Sequence, residues 1–452
     1  MVFNTASAMQ TIYTAKNVAK FRGYAAILPA RNTFNVLNAL DKSIHRFKRK
    51  VINQGLSDQR MREFEPSLNH HVDNFIQKLA DNLRSGRPGE WSDPVNMTDM
   101  CKNLGLDIMG QYGFGQSLQL LDKPDNRIIV PAFAQSSLLV GTFGQFPDLA
   151  KWKVHFPLVV AILGTRKKYL KLINGLIEER SKLGKDARPD MFSFVSGAVD
   201  PETGRSFTKE ELWSETRLLL GAGSDTTSST LSGCFFYLSR YPECAKRAAE
   251  EVRRVFESAD EIHSGTGSKM TECVYLRACI DETLRMSPPA GGTLWREIMP
   301  GTGGLMIDGV FYPEGTTVGG SIYCVHHNEE YFPDPYLYNP DRWIVSDTNT
   351  KEQVEHAKYG FFPFSVGTRS CPGKTMAYME LSNTLAKTLW YFDVTVASGP
   401  LGAVGGGWPN ATIGRRREKE FQLWDHLLST HDGPYMQFKL RDGVGKALGL
   451  GS

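Results

Sequence analysis

The sequence predicts a mainly α-helical protein with small β-sheets. Two long stretches, Ser57 to Leu83 and Thr165 to Ser181, repeat apolar residues at helical spacing. A third helix starts near Thr208, which stands at capping-box spacing from Glu211, and ends near Tyr241, just before Pro242. The clearest β signal is Leu305-Met306-Ile307-Asp308-Gly309-Val310-Phe311, a hairpin turning at Asp308-Gly309 within the segment from Gly291 to Thr317. No internal repeat and no clean linker divides the chain, so residues 1–452 are read as one domain.

The composition narrows the function classes. Hydrophobic residues make up 41% and charged residues 22%, which suits a chain that buries a core and excludes a multi-pass membrane protein or a disordered tail. A formal net charge of +3 gives no whole-chain nucleic-acid footprint. Seven cysteines without a CxxC pair point to a reducing environment. The best apolar run, Phe156 to Leu163, contains Pro157 and falls short of the ~20 residues a membrane span needs. The two sequon triplets, at Asn96 and Asn410, are expected by chance in a chain this long.

Several places break the local rules. The middle of the Thr208 helix reads Gly221-Ala222-Gly223-Ser224-Asp225-Thr226-Thr227, although an interior glycine costs ~1 kcal/mol relative to alanine. Either two shorter helices meet there, or one helix opens locally for a ligand, with Asp225 and Thr226 offering a carboxylate and a hydroxyl for proton transfer. Glu282 and Arg285 form an i,i+3 pair just before Pro288-Pro289, and Pro340-Asp341-Arg342-Trp343 lies in a turn-rich segment; each is commonplace alone. The stretch Gly402 to Gly407, followed by Arg415 to Glu420, reads as a mobile loop with a solvated charge run.

One further segment carries the most chemistry. Cys371 lies between glycines in Phe364-Ser365-Val366-Gly367-Thr368-Arg369-Ser370-Cys371-Pro372-Gly373, beside Arg369 and just before a helical pattern, where backbone donors favour a thiolate. That environment suits a metal ligand or a nucleophile. Gly373-Lys374-Thr375 ends like a phosphate-binding loop, but that motif needs a glycine at position 368, which is threonine.

Taken together, these segments resemble the cytochrome P450 family of haem-thiolate monooxygenases. Phe364-x-x-Gly367-x-Arg369-x-Cys371-x-Gly373 is similar to the haem-binding signature, and Glu282-x-x-Arg285 to the family's Glu-x-x-Arg helix. Ala222 to Thr227 is similar to the oxygen-activating segment, and Pro340-Asp341-Arg342-Trp343 departs mildly from Pro-Glu-Arg-Phe. The resemblance implies the P450 fold, with haem b between the long central helix and the cysteine loop. It makes Cys371 the axial iron ligand, which favours O–O cleavage. It places Arg369, Arg296 and Arg49 at the propionates, with His45 standing where the family has tryptophan. Phe364 would pack near the sulfur, with Gly373 and Ala222 also facing the haem. Asp225 and Thr226 would relay protons, and Glu282, Arg285 and Arg342 would staple the core.

The resemblance further implies an apolar or aromatic natural-product-like substrate, dioxygen and electrons from NADPH-cytochrome P450 reductase or a similar donor. Substrate contacts are expected from Leu218 and Ala222, from Ala290, Gly291, Thr293 and Leu294, and from Leu427 with Leu428. Hydroxylation of a C–H bond is the expected reaction, with oxidative coupling, ring closure or desaturation as the alternative and a non-catalytic haem protein behind it. The sequence most resembles the fungal enzymes of secondary metabolism. A basic cluster of Arg46, Lys48, Arg49 and Lys50 is a candidate docking face for the reductase, against the plainer reading of a solvated helix face. The chain is expected to be a monomer on the cytosolic face of the endoplasmic reticulum by family habit. It lacks the anchor, hinge, first helix and first strand that usually precede this point in eukaryotic members, and by itself would be soluble.

Overall fold

The protein is described by a computed structural model covering residues 1–27, 33–83, 90–152, 155–184, 187–188, 190–200, 203–265 and 267–448. Helices dominate. The longest is a central helix, Lys209–Arg240, whose first turn is fixed by Thr208: its side chain accepts from the Glu211 N–H, while the Glu211 carboxylate accepts from the Thr208 N–H. The helix runs without interruption through Gly221 to Thr227, so the alternative of two helices meeting at a loop is excluded.

Close packing explains those glycines. A neighbouring helix, Met97–Phe114, lies against the central one, and a Cβ on Gly223 would come within 2.6 Å of Met109 Cε. From the other side, a Cβ on Gly105 would lie 3.0 Å from the Ser224 carbonyl oxygen. The weak helix formers find local partners: Ser224 Oγ donates to the Leu220 carbonyl at 2.7 Å, and Thr230 Oγ1 to the Thr226 carbonyl at 2.9 Å.

The two helices pack with Asp58–Asp81 and Lys374–Tyr391 around the larger core, which includes Phe75, Leu104, Phe235, Leu385 and Phe438. A three-stranded antiparallel sheet closes that core, ordered Val95–Asn96, Tyr435–Leu440, Phe392–Val396. A second core lies beneath the short helix Ala6–Thr14. Beside it is a four-stranded sheet, ordered Val2–Phe3, Thr317–Gly320, Arg296–Ile298, Val18–Lys20, in which the first pair is parallel. The predicted hairpin is present as Leu305–Ile307 and Val310–Tyr312, with Asp308 and Gly309 both at positive φ, as a tight hairpin turn requires. The helix expected over 165–181 begins earlier, spanning His155–Lys182. Among the described residues no helix is long and apolar enough to cross a membrane.

The glycine-rich stretch corrects its sequence reading. It is packed, not loose. Arg240, near the end of the central helix, donates to the Gly402 and Val404 carbonyls at 2.6 and 3.1 Å. The Gly407 N–H bonds to the Arg417 carbonyl, and the Gln422 N–H to the Gly405 carbonyl. A side chain at Gly406 would overlap the Glu418 carbonyl oxygen, so only glycine fits there. The charge run is likewise engaged: Arg416 donates to the Ala411 carbonyl at 2.9 Å, and Arg417 pairs with buried Glu420 while stacking on Tyr336.

Candidate functional site

The cysteine loop is held by its own backbone. The Cys371 N–H donates to the Phe364 carbonyl at 2.8 Å, closing the loop around the turn Gly367–Arg369. Gly367 has φ +79°, and a side chain there would overlap the Tyr13 carbonyl. Phe364 packs against Tyr378, with ring centroids 5.3 Å apart and the rings tilted by 52°. Gly373 precedes the helix Lys374–Tyr391, and a Cβ on it would lie 3.8 Å from Cys371 Sγ, so the sulfur side of the loop stays open.

The expected electrostatics of Cys371 need correction. Although the Cys371 side chain is exposed, the protein atoms crowded around its loop desolvate it and push its thiol up, against the Gly373 N–H and the Arg49 charge that pull it down. The loop alone therefore favours the thiol. A bound metal reverses that preference, because coordination deprotonates a thiol. The donor chemistry thus fits an iron ligand better than a free nucleophile.

Cations from four separate elements surround the loop. Arg369 donates to the Ala39 carbonyl at 2.7 Å, and Arg49, on the helix Lys42–Gly55, donates to the Ser370 carbonyl. Arg296 is buried in its strand with its guanidinium 4.7 Å from the Tyr13 ring. Buried His45 is driven down to about 3, first by desolvation and then by Arg369, Lys20, Arg49 and Arg296. Arg369 falls to about 10 through burial and the charge of Arg296. Two members of this group were not expected from the sequence. Lys20 is buried, lies 4.2 Å from the Tyr24 ring, and is held well below its ordinary value by burial, Arg296 and Arg369. Buried Tyr24 is raised by desolvation and lowered in part by its hydrogen bond with Arg296. No motif marks either residue.

This cluster supplies the fit test for a haem. Partly buried cations that repel one another are costly unless an anion sits among them. Asp41 is the carboxylate whose charge supports Arg369. Two propionates would complete the balance, so the residues present fit the group.

On the central helix, Asp225 is pushed up to about 6 by burial, with the charge of Lys102 opposing. Thr226 Oγ1 donates to the Ala222 carbonyl at 2.8 Å, one turn back in the same helix. Lys102 also acts on buried His431, whose Nδ1 lies 3.3 Å from Ser229 Oγ. Neither Lys102 nor His431 was singled out by pattern.

Glu282, Arg285 and Arg342 come together as expected. Arg285 grips Glu282 through two hydrogen bonds of 2.9 and 2.8 Å, and Arg342 adds one of 3.0 Å. Burial alone would raise Glu282, but the charges and hydrogen bonds of Arg285 and Arg342 hold it low. Trp343, where the family motif has phenylalanine, donates its indole N–H to Glu282 at 3.0 Å.

The expected substrate positions divide into two groups. Leu218 and Ala222 lie half-buried on the central helix, and Ala290 and Gly291 follow the Glu282 helix, Val274–Met286. The hairpin Trp424–His426 and Leu428–Thr430, with Leu427 at its tip, joins them: the Ser429 N–H bonds the Pro289 carbonyl, and Ser229 Oγ the Ser429 carbonyl. Thr293 instead turns its methyl toward Gly319, and Leu294 packs on the second core. The basic cluster also splits, because Lys48 is fully buried and paired with Glu211 at 3.0 Å and Glu215 at 3.2 Å. Lys48 is therefore not a docking residue.

A mainly helical fold with small sheets of this kind matches a haem-domain architecture. The solved heme domain of cytochrome P450DA superposes with a TM-score of 0.71 at 18% identity, over 97% of this chain and 86% of that one. The family model for cytochrome P450 matches residues 1–400. A cytochrome P450 monooxygenase of Gibberella zeae is 37% identical over 95% of this chain and 97% of its own length. The cytochrome P450 monooxygenases AKT7 of Alternaria alternata and poxM of Penicillium oxalicum are 33% and 37% identical, over 97% and 98% of this chain and 84% and 82% of theirs. The chain belongs to the cytochrome P450 family. It is an oxidoreductase of the monooxygenase class, and the family implies a haem, a small-molecule substrate, dioxygen and a reductase.

Proposed function

We propose that the protein inserts one oxygen atom into a C–H bond of an apolar or aromatic natural-product-like substrate, using haem b held by Cys371. The cluster of mutually repelling cations around the thiol-bearing loop carries this reading. When bound, the haem supplies reductive activation of dioxygen, and its iron would take the Cys371 sulfur as axial ligand. Arg369, Arg296, Arg49 and His45, joined by Lys20 and Tyr24, would hold the propionates. Phe364 and Gly373 shape the space around the sulfur, and Ala222 lines the distal wall.

Asp225 holds a proton on its carboxyl group up to about pH 6, with the Lys102 charge opposing that rise, and can give it up to a neighbouring acceptor. Thr226 Oγ1, resting on the Ala222 carbonyl, passes protons toward the reacting oxygen. Leu218, Ala290, Gly291 and Leu427 press the substrate into place and exclude water. Exposed Arg46 and Lys50 remain available to an acidic face of NADPH-cytochrome P450 reductase or a similar donor. The protein works as a monomer at the cytosolic face of the endoplasmic reticulum.

The carbon monoxide difference spectrum of the dithionite-reduced protein tests the assignment. The wild type should show the red-shifted Soret band of a thiolate ligand, and Cys371→Ser should lose it. A Cys371→Ser protein that kept the band would refute the ligand, and a wild type that bound no haem would refute the whole reading.

A further inference from the structure

We propose that the protein has a second small-molecule site, outside the haem pocket, that takes an amphipathic carboxylate. A cavity of about 560 Å³ opens between the helices Val274–Met286 and Lys374–Tyr391 and is also lined by the turn Lys269–Glu272. Small-molecule sites span ~300–1,000 Å³, so the volume suits one. The cavity shares no residue with the cationic cluster or with the expected substrate positions. Its walls are fixed by bonds of their own. The Glu251 carboxylate accepts the Tyr275 and Leu276 N–H groups at 2.9 and 2.8 Å, which holds the first turn of one helix. Ser264, another lining residue, donates its N–H to Glu65 and its Oγ to Asn383 Oδ1 at 2.6 Å, and Asn383 Nδ2 donates to Glu65 at 2.9 Å. Those bonds tie the segment before the turn to the helices Asp58–Asp81 and Lys374–Tyr391.

Met270, Val274, Ala278, Trp343 and Met379 give the cavity an apolar surface. Charge enters through Arg277, Asp281 and Lys374. Asp281 is satisfied from within the protein: the Tyr378 hydroxyl donates to its Oδ1 at 2.6 Å, and Arg277 Nε to its Oδ2 at 3.0 Å. The Arg277 guanidinium also lies over the Tyr378 ring, 3.6 Å from its centroid. Cys273 adds no negative charge at neutral pH, because burial pushes its thiol up to about 12. Lys374 is exposed, and among the described residues it forms no ion pair. With Asp281 offset by Arg277, the Lys374 ammonium leaves one uncompensated positive charge beside an apolar surface. A guest with an apolar body and a single carboxylate complements both: the carboxylate forms a charge-assisted hydrogen bond with Lys374, and the body displaces water from the walls. A cation would meet a like charge there, and a dianion would keep a charge unmatched.

Undecanoic acid with a diazirine at its far end serves as the probe. It is photolysed at neutral pH with the haem-loaded protein, whose haem pocket is first filled with clotrimazole, and the labelled peptides are mapped by mass spectrometry. Label is expected on the 264–281 and 374–382 segments, and decanoate should displace it about tenfold more effectively than decanol. Lys374→Glu should remove that preference. Val274→Trp, which fills the cavity from an exposed position, should lower labelling of both segments about tenfold. Label confined to other segments, equal displacement by decanoate and decanol, or an undiminished preference in a folded Lys374→Glu would each overturn the proposal. The position of the label is read without turnover, and clotrimazole binding, followed in the Soret band, reports on the haem pocket separately.

Discussion

Thr226 combines a local and a catalytic demand in one hydroxyl. Its Oγ1 bond to the Ala222 carbonyl satisfies it inside the helix, yet the threonine remains only half-buried, on the open side of that helix. Removing a positioned proton donor typically costs ~100-fold in the proton-transfer step. Thr226→Ala should therefore lower product formed per NADPH consumed by about tenfold or more. Product and cofactor oxidation measured together check this, and unchanged coupling would remove Thr226 from the relay. Asp225 and Thr226 stood out in the sequence because a helix tolerates such a run poorly. Lys102, His431, Lys20 and Tyr24 had no such signal, since their roles arise from where other elements place them.

Between elements, the informative contact is that of the helix Lys42–Gly55 with the start of the central helix. Buried Lys48 sits between Glu211 and Glu215, the Phe207 ring lies 4.4 Å from its Nζ, and Glu215 also accepts the Val36 N–H. Removing the cation leaves two buried carboxylates facing each other, so Lys48→Met should destabilise the protein by ~3–5 kcal/mol in chemical denaturation. Glu215 is pushed up to about 7, chiefly by burial, with Lys48 opposing and Glu211 adding to the rise. The folded protein thus retains a proton that the unfolded chain releases near pH ~4.3. Stability falls as pH rises from there through about 7, and Glu215→Gln should flatten that slope. Denaturation midpoints across this pH range measure it, and an unchanged slope would refute the cause. The sequence grouped Lys48 with Arg46 and Lys50 as one basic patch. Helical rotation turns Lys48 inward, which the residue type alone does not reveal.

Across the whole molecule, Glu282 ties the Val274–Met286 helix to the segment before the cysteine loop. It accepts from Arg285, Arg342, the Trp343 indole and the Asn339 N–H. Glu282→Ala should strand two buried guanidinium groups and cost ~3–5 kcal/mol, with weakened haem retention, read by denaturation and by haem content after gel filtration. Native stability would count against the staple.

Sequence alone determined the elements whose signals are local: the capped central helix, the Asp308-Gly309 hairpin, and the motifs that place Cys371, Glu282 and Arg285 along the chain. Capping, turn chemistry and spacing act within a few residues and are therefore readable in order. Only the tertiary structure decided what depends on long-range approach. It gathered Lys20, Arg49, Arg296 and Arg369 around a neutral His45 and turned Lys48 inward. It packed the glycines at 402–407 against Arg240 and the 415–422 segment, and it opened a cavity between the helices Val274–Met286 and Lys374–Tyr391. Burial and electrostatic coupling belong to neighbours in space, and those neighbours lie up to hundreds of residues apart in the chain.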